Sequence, residues 1–127
     1  MSEPRFLTVE QVESLQKKAI EVFGGLHGVR DRTLVEGAVL QPRNVYFYEQ
    51  GDLFDIASAY VFYVAQAQAF LDGNKRAGMA AALVFLELNG IIVPECTDVL
   101  YSAMIEMAEK KVSRIEIATL LRSLAAA

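Results

Sequence analysis

Apolar residues along this chain recur at helical spacing, and strand-like alternation is scarce. Val9, Val12, Leu15, Ala19, Ile20 and Phe23 form the first stripe, and Thr8-Val9-Glu10-Gln11 in front of it has the form of a capping box. Gly24-Gly25 ends that helix, because glycine tolerates the left-handed C-cap. Leu26 to Arg30 reads as a loop. Asp31 is placed to cap a short second helix through about Leu40, which Pro42 stops. Asn44 to Gly51 is aromatic and irregular, and a hairpin, a flap and a helical turn all fit it. Asp52 opens a long helix to about Ala69. Its Leu53, Phe54, Ile56, Ala57, Tyr60, Val61, Val64 and Ala65 leave few polar faces, as expected of a central helix. Phe70 to Asn74 interrupts the pattern. A second buried helix runs from about Lys75 to Leu88 and ends at Asn89-Gly90. Ile91 to Pro94 is short and extended, Thr97 or Asp98 caps a helix to about Lys110, and Ser113-Arg114-Ile115-Glu116 is a capping box for the last one. The prediction is an all-α single domain over residues 1–127, with about six helices around a central antiparallel pair.

Composition narrows the function classes. At 54% hydrophobic and 22% charged, the 127 residues suffice for one cored domain. A net charge of −4 and a pI near 5.0 argue against nucleic acid as a partner, since phosphate binding favours a basic surface; they leave a basic protein partner open. A lone cysteine, Cys96, cannot form an internal disulfide, which fits a reducing compartment, and the neighbouring Glu95 and Asp98 disfavour a thiolate. The first residues lack the apolar run of a signal peptide. The longest uncharged stretch, Ile56 to Leu71, contains Gln66 and Gln68 and is too short for a membrane span, which needs about 20 apolar residues. A cytoplasmic protein is expected, with no membrane partner.

The chemistry concentrates in Gln68-Ala69-Phe70-Leu71-Asp72-Gly73-Asn74-Lys75-Arg76. A tight loop entering a helix offers free backbone N–H groups and the positive end of the helix dipole, an anion site. Gly73 keeps a side chain out of the way. Lys75 and Arg76 add positive charge, and Arg grips phosphate with two parallel hydrogen bonds. Asp72 is the hard oxygen donor that Mg²⁺ prefers. The set suits phosphoryl or nucleotidyl transfer, where catalysis is mostly positioning and charge neutralisation. Asp-Gly-Asn is also ordinary turn chemistry, and Lys-Arg in a first helical turn is ordinary surface, so the residues alone leave both readings open.

The segment resembles the Fic/Doc signature His-x-Phe-x-(Asp/Glu/Asn)-(Gly/Ala)-Asn-(Gly/Lys)-Arg. Phe70, Asp72, Gly73, Asn74, Lys75 and Arg76 match; Gln68 stands in place of the histidine. Phe6-Leu7-Thr8, Phe23-Gly24-Gly25, Gly28-Val29-Arg30-Asp31 and Ala81, Leu83, Phe85, Leu86, Asn89 and Gly90 are similar to Doc-type proteins as well, so the resemblance spans roughly residues 6 to 125. It implies a toxin that transfers a phosphate-containing group from ATP, with Mg²⁺, to a protein hydroxyl. It further implies a Phd-like antitoxin as partner and a threonine of elongation factor Tu as target, so that translation stops. By the same resemblance, position 68 carries the general base, Phe70 anchors the loop, and Asp72 holds the metal. Gly73, Asn74 and Lys75 line an anion hole, and Arg76 contacts nucleotide phosphates. Lys75, and Met79 in place of a second arginine, are typical of the Doc branch. Glycine at position 75 is usual in AMP-transferring relatives.

Glutamine has no pKa near neutrality and cannot carry a proton away; loss of a general base lowers rates about 10²–10⁴-fold. Gln68 therefore reads as a replacement that disarms a toxin, as the mark of a naturally inactive nucleotide- or antitoxin-binding module, or as a site served by another base. His27 is the one histidine available for the last. Arg30 and Asp31 suit a loop salt bridge or a target-binding flap. Tyr46, Phe47 and Tyr48 suit a clamp or core, and Lys110, Lys111 and Arg114 a solvated helix junction. Met79, Met104 and Met107 fall at core spacings. Ser102 and Glu106 have the spacing of a self-inhibitory Fic helix, but Met107 follows, so inhibition is expected from a separate chain.

Overall fold

Helix starts follow the capping residues. In the computed structural model, which describes residues 3–94, 97–109 and 111–126, α1 (Val9–Phe23) begins after Thr8. The Thr8 hydroxyl accepts from the Gln11 N–H at 3.1 Å, and the Gln11 amide oxygen accepts from the Thr8 N–H at 2.8 Å. Gly24 closes the helix with φ 83° and donates its N–H to the Ile20 carbonyl. Asp31 caps α2 (Arg32–Glu49) by accepting from the Thr33 N–H at 2.9 Å.

Pro42 does not stop α2, contrary to expectation; the helix continues to Glu49, and the undecided Asn44 to Gly51 segment is mostly its last turns. An interior proline opposes a helix by about 3 kcal/mol. Here that is offset by burial of Pro42 and Val45 and by an aromatic cluster in which Tyr46 meets Phe6 edge-on at 6.0 Å. The helix ends where Gln50 turns left-handed. Tyr46 thus packs, partly buried, against the core, whereas Tyr48 is 83% exposed.

α3 (Leu53–Ala67) starts with a reciprocal box in which Asp52 and Asp55 each accept the other's N–H at 2.9 Å. It ends at Ala67, short of the expected Ala69, because Gln68 takes the left-handed conformation. α4 (Asn74–Leu88) follows. α3 and α4 form the central pair. Their antiparallel course shows in matched neighbours: the Tyr60 and Phe85 rings are 5.2 Å apart, while Gly78 lies against Val61 and Ala65. α2 and α6 (Arg114–Ala126) cover α3, and α1 and α5 (Thr97–Ala108) cover α4. α5 is described from Thr97, with Asp98 in its first turn, and Cys96 and Lys110 fall outside the described residues. Ser113 does cap α6: its hydroxyl accepts from the Glu116 N–H at 3.2 Å.

The described residues thus form an all-α bundle of six helices. Met79, Met104 and Met107 are core. Among the described residues no helix is long and apolar enough to cross a membrane.

Candidate functional site

Gln68 to Gly73 joins the central helices, and its path is held from three sides. From below, buried Gln16 of α1 donates its amide to the Asp72 carbonyl at 2.9 Å. From within, the Asn74 side chain accepts from the Phe70 N–H at 3.1 Å and donates to the Phe70 carbonyl at 3.2 Å. From the flank, residues 28–31 lie alongside. Val29 and Phe70 form an antiparallel bridge, the Leu71 N–H donates to the Gly28 carbonyl, and the Arg30 and Asp31 N–H groups both donate to the Ala69 carbonyl. Phe70 is buried, as an anchor should be.

Arg30 and Asp31 do not pair with each other. Asp31 is the α2 cap, and the Arg30 guanidinium donates two N–H groups to the Gln68 carbonyl, one at 2.8 Å. Position 68 is therefore held at its backbone while its side chain reaches the loop: the Gln68 amide donates to the Ala65 carbonyl at 3.2 Å and accepts from the Asn74 amide at 3.4 Å.

Gly73 is the N-cap of α4 in the left-handed region, φ 72°, with no side-chain cap. The first intrahelical bond runs from the Ala77 N–H to the Gly73 carbonyl. The N–H groups of Asn74, Lys75 and Arg76 consequently have no partner among the described residues, as expected of an uncapped first turn. A cavity of about 350 Å³ opens over them. It is lined by Gln68, Leu71, Asp72, Gly73, Asn74, Lys75 and Arg76, with Ala19, Ile20, Phe23 and Gly24 of the α1 end and Tyr101 of α5.

All the site residues expected from the sequence except the anchor Phe70 thus line one cavity. The Asp72 carboxylate accepts from the Gly73 N–H at 3.0 Å and weakly from the Leu26 N–H at 3.3 Å, and stays solvent-exposed. Gly25 makes room for it: at φ 120°, a Cβ there would sit 2.7 Å from Asp72 Oδ2. Among the described residues neither Lys75 nor Arg76 has an acidic partner. The cavity is therefore cationic on one wall, lined with N–H donors at its floor, and supplied with one carboxylate.

His27 is exposed and is not part of the cavity lining, and Ser102 and Glu106 are likewise exposed outside it. Gln16, Gly25 and Tyr101 were not read from the sequence as parts of the site. Gln16 did carry a signal, a polar residue between Val12 and Ile20 on an apolar stripe; Tyr101 carried none.

A sequence model of the Fic/DOC family matches residues 6–86. The chain belongs to the Fic/Doc family. Within it, similarity is to Doc proteins. The protein kinase Doc of Escherichia phage P1 is 32% identical over 124 residues, covering 94% of this chain and 95% of that protein. The toxin Doc of Mycolicibacterium smegmatis is 42% identical over 71 residues, 54% of this chain and 55% of that one. The matched region contains α1 to α3, the loop and most of α4, hence nearly the whole cavity. Tyr101 lies beyond it, on a helix that the longer pairwise similarity reaches.

Proposed function

We propose that this chain is a Doc-type toxin, a phosphotransferase that binds ATP through the α4 N-terminus and acts on a protein hydroxyl, with elongation factor Tu as target and a Phd-like antitoxin as its inhibitor. The observation that carries the reading is the row of three N–H groups at Asn74, Lys75 and Arg76, unpartnered among the described residues, beneath a cationic cavity. Names borne by the relatives, protein kinase and toxin, point the same way.

The residues suit Mg²⁺ and polyphosphate. No group of three or more His, Cys, Asp or Glu side chains gathers among the described residues. Mg²⁺ with nucleotide asks for less: one or two carboxylates, the rest phosphate and water, and exposed Asp72 meets that demand. When bound, the ion neutralises charge building on the phosphates.

The chain's own part is to place and neutralise. The α4 N–H groups and Arg76 hold phosphate oxygens; Lys75 adds charge beside them. In transfer, a target hydroxyl oxygen bonds to the γ-phosphorus, and the bond to ADP breaks with its electron pair leaving on ADP. The hydroxyl proton must also depart, and that is the step Gln68 serves poorly. Its side-chain amide oxygen can accept a hydrogen bond from the hydroxyl and orient it, but cannot take the proton. The proposal is therefore a competent binding site with an impaired transfer step.

The test is Gln68→His, incubated with elongation factor Tu and ATP labelled separately at the α- or γ-phosphate. γ-Label on the factor, at a rate about 10²–10⁴-fold above the unsubstituted chain, is the expected result. α-Label would replace the kinase reading with AMP transfer. No transfer, with normal growth of cells expressing Gln68→His without antitoxin, would leave only a binding module.

A further inference from the structure

Arg76 is held in a way no other cation of the described residues is. Its guanidinium lies 3.6 Å from the Phe23 ring centroid and 4.4 Å from that of Tyr101, so two rings from opposite ends of the sequence close on one side chain. Arg43 and Arg122 each meet one ring, at 4.7 Å and 5.4 Å, and Arg122 is also paired with Asp52. Phe23 is 55% exposed and sits in the last turn of α1, where an apolar ring without a partner would gain little from burial. Tyr101 comes from α5 and reaches the same cavity.

Both rings approach well inside the roughly 6 Å limit of a cation–π contact. They hold the guanidinium between them without neutralising its charge, which a carboxylate would do. An arginine held this way keeps its N–H fork and its full charge for an anion, and loses less side-chain freedom when the anion arrives.

We propose that Phe23 and Tyr101 are positioning residues for Arg76, pre-setting it to grip nucleotide phosphate. The inference rests on the nucleotide-binding reading above and assigns α1 and α5 a share in it. The rings act on phosphate through Arg76, and a base stacked directly on them is a different arrangement that the test separates.

The test is calorimetry of the unsubstituted chain, Phe23→Ala, Tyr101→Ala, Tyr101→Phe and the double alanine variant with Mg-ATP and with inorganic tripolyphosphate. Loss of one ring should weaken both ligands by about threefold to fivefold, and loss of both by about tenfold or more. Tyr101→Phe keeps the ring and should stay within about twofold of the unsubstituted chain. In an Arg76→Ala background the ring substitutions should have no further effect, which a general structural role would not produce. Weaker ATP with unchanged tripolyphosphate would mean that the rings hold the base, and would overturn the proposal. So would unchanged affinity for both ligands, or equal losses in the Arg76→Ala background. If the unsubstituted chain bound neither ligand, the nucleotide site itself would fall, and this inference with it.

Discussion

Asn74 fastens the loop at the scale of a single amide. Its oxygen takes the Phe70 N–H and its nitrogen serves both the Phe70 carbonyl and, at longer range, Gln68. Because Asn74 is buried, any of these groups left unpaired is deprived of water as well. Asn74→Asp keeps the size and the acceptor but removes the donor, and sets a carboxylate against the Phe70 carbonyl. We expect a loss of about 1–3 kcal/mol by urea denaturation at neutral pH. An aspartate variant as stable as the parent would show that the amide's donor bonds contribute nothing. Side chains with their own chemistry are the legible part of the site: Asp72, Gly73, Lys75 and Arg76 stand out by type and position, Gln68 and Asn74 by resemblance to the Fic/Doc signature, and all line the cavity. The residues that hold them were not. Gln16 acts on a carbonyl, Arg30 on the Gln68 backbone and Gly25 through the room it leaves. Such roles depend on what folding brings near, and residue type does not encode them.

Whole elements were legible where a cap or a break announced them. Thr8, Asp31, Asp52 and Ser113 each start a helix as expected. Pro42 misled because a local rule met a tertiary gain: the aromatic end of α2 packs on Phe6 and keeps the helix going. Two glycines inside helices show how far local and tertiary rules diverge. A Cβ at Gly37 in α2 would meet nothing within 4 Å, whereas at Gly78 in α4 it would lie 2.8 Å from the Val61 carbonyl oxygen and 3.3 Å from the Ala65 nitrogen. Both positions gain up to about 1 kcal/mol in helix propensity from alanine. At Gly37 nothing opposes the gain, so Gly37→Ala should raise the melting temperature. At Gly78 the obstacle is backbone, which cannot swing aside, and overpacking of this kind costs about 1–3 kcal/mol. Gly78→Ala should therefore melt several degrees lower, at about 2–8 °C per kcal/mol of net loss. Thermal unfolding of the two variants side by side checks the central pair: equal shifts in the same direction would mean that α3 and α4 do not approach this closely.

Across the molecule, exposed ion pairs join several helices: Arg32 with Glu10, Arg114 with Glu49, Arg122 with Asp52. Pairs this open to solvent are worth about 0–1 kcal/mol each, so they do not decide stability. A stronger tie crosses the core. The Tyr60 hydroxyl of α3, fully buried against Phe85 of α4, accepts the Leu7 N–H at 2.8 Å and so fastens the segment before α1 to the central pair. Burial pushes the Tyr60 hydroxyl up to about 12 from its ordinary 10.0, against the smaller opposing pull of the Leu7 N–H and Arg43. The sign of the consequence follows from the proton. Between pH 10 and 12 the folded chain keeps a proton that the unfolded chain releases, so the stability contributed by Tyr60 is complete below pH 10 and falls as pH rises through that window. The fall approaches about 1.4 kcal/mol per pH unit. Tyr60→Phe removes both the acceptor and the titration. At pH 8 it should be less stable than the parent by about 1–3 kcal/mol, because the Leu7 N–H loses its partner. Toward pH 11 the gap should narrow by about 1.4 kcal/mol, since only the parent carries the buried phenol. Every other group is common to both proteins and cancels in the difference. Urea denaturation of the pair at several pH values reads this directly, and a gap that stays constant from pH 8 to 11 would show that the Tyr60 hydroxyl is not withdrawn from water in the folded chain.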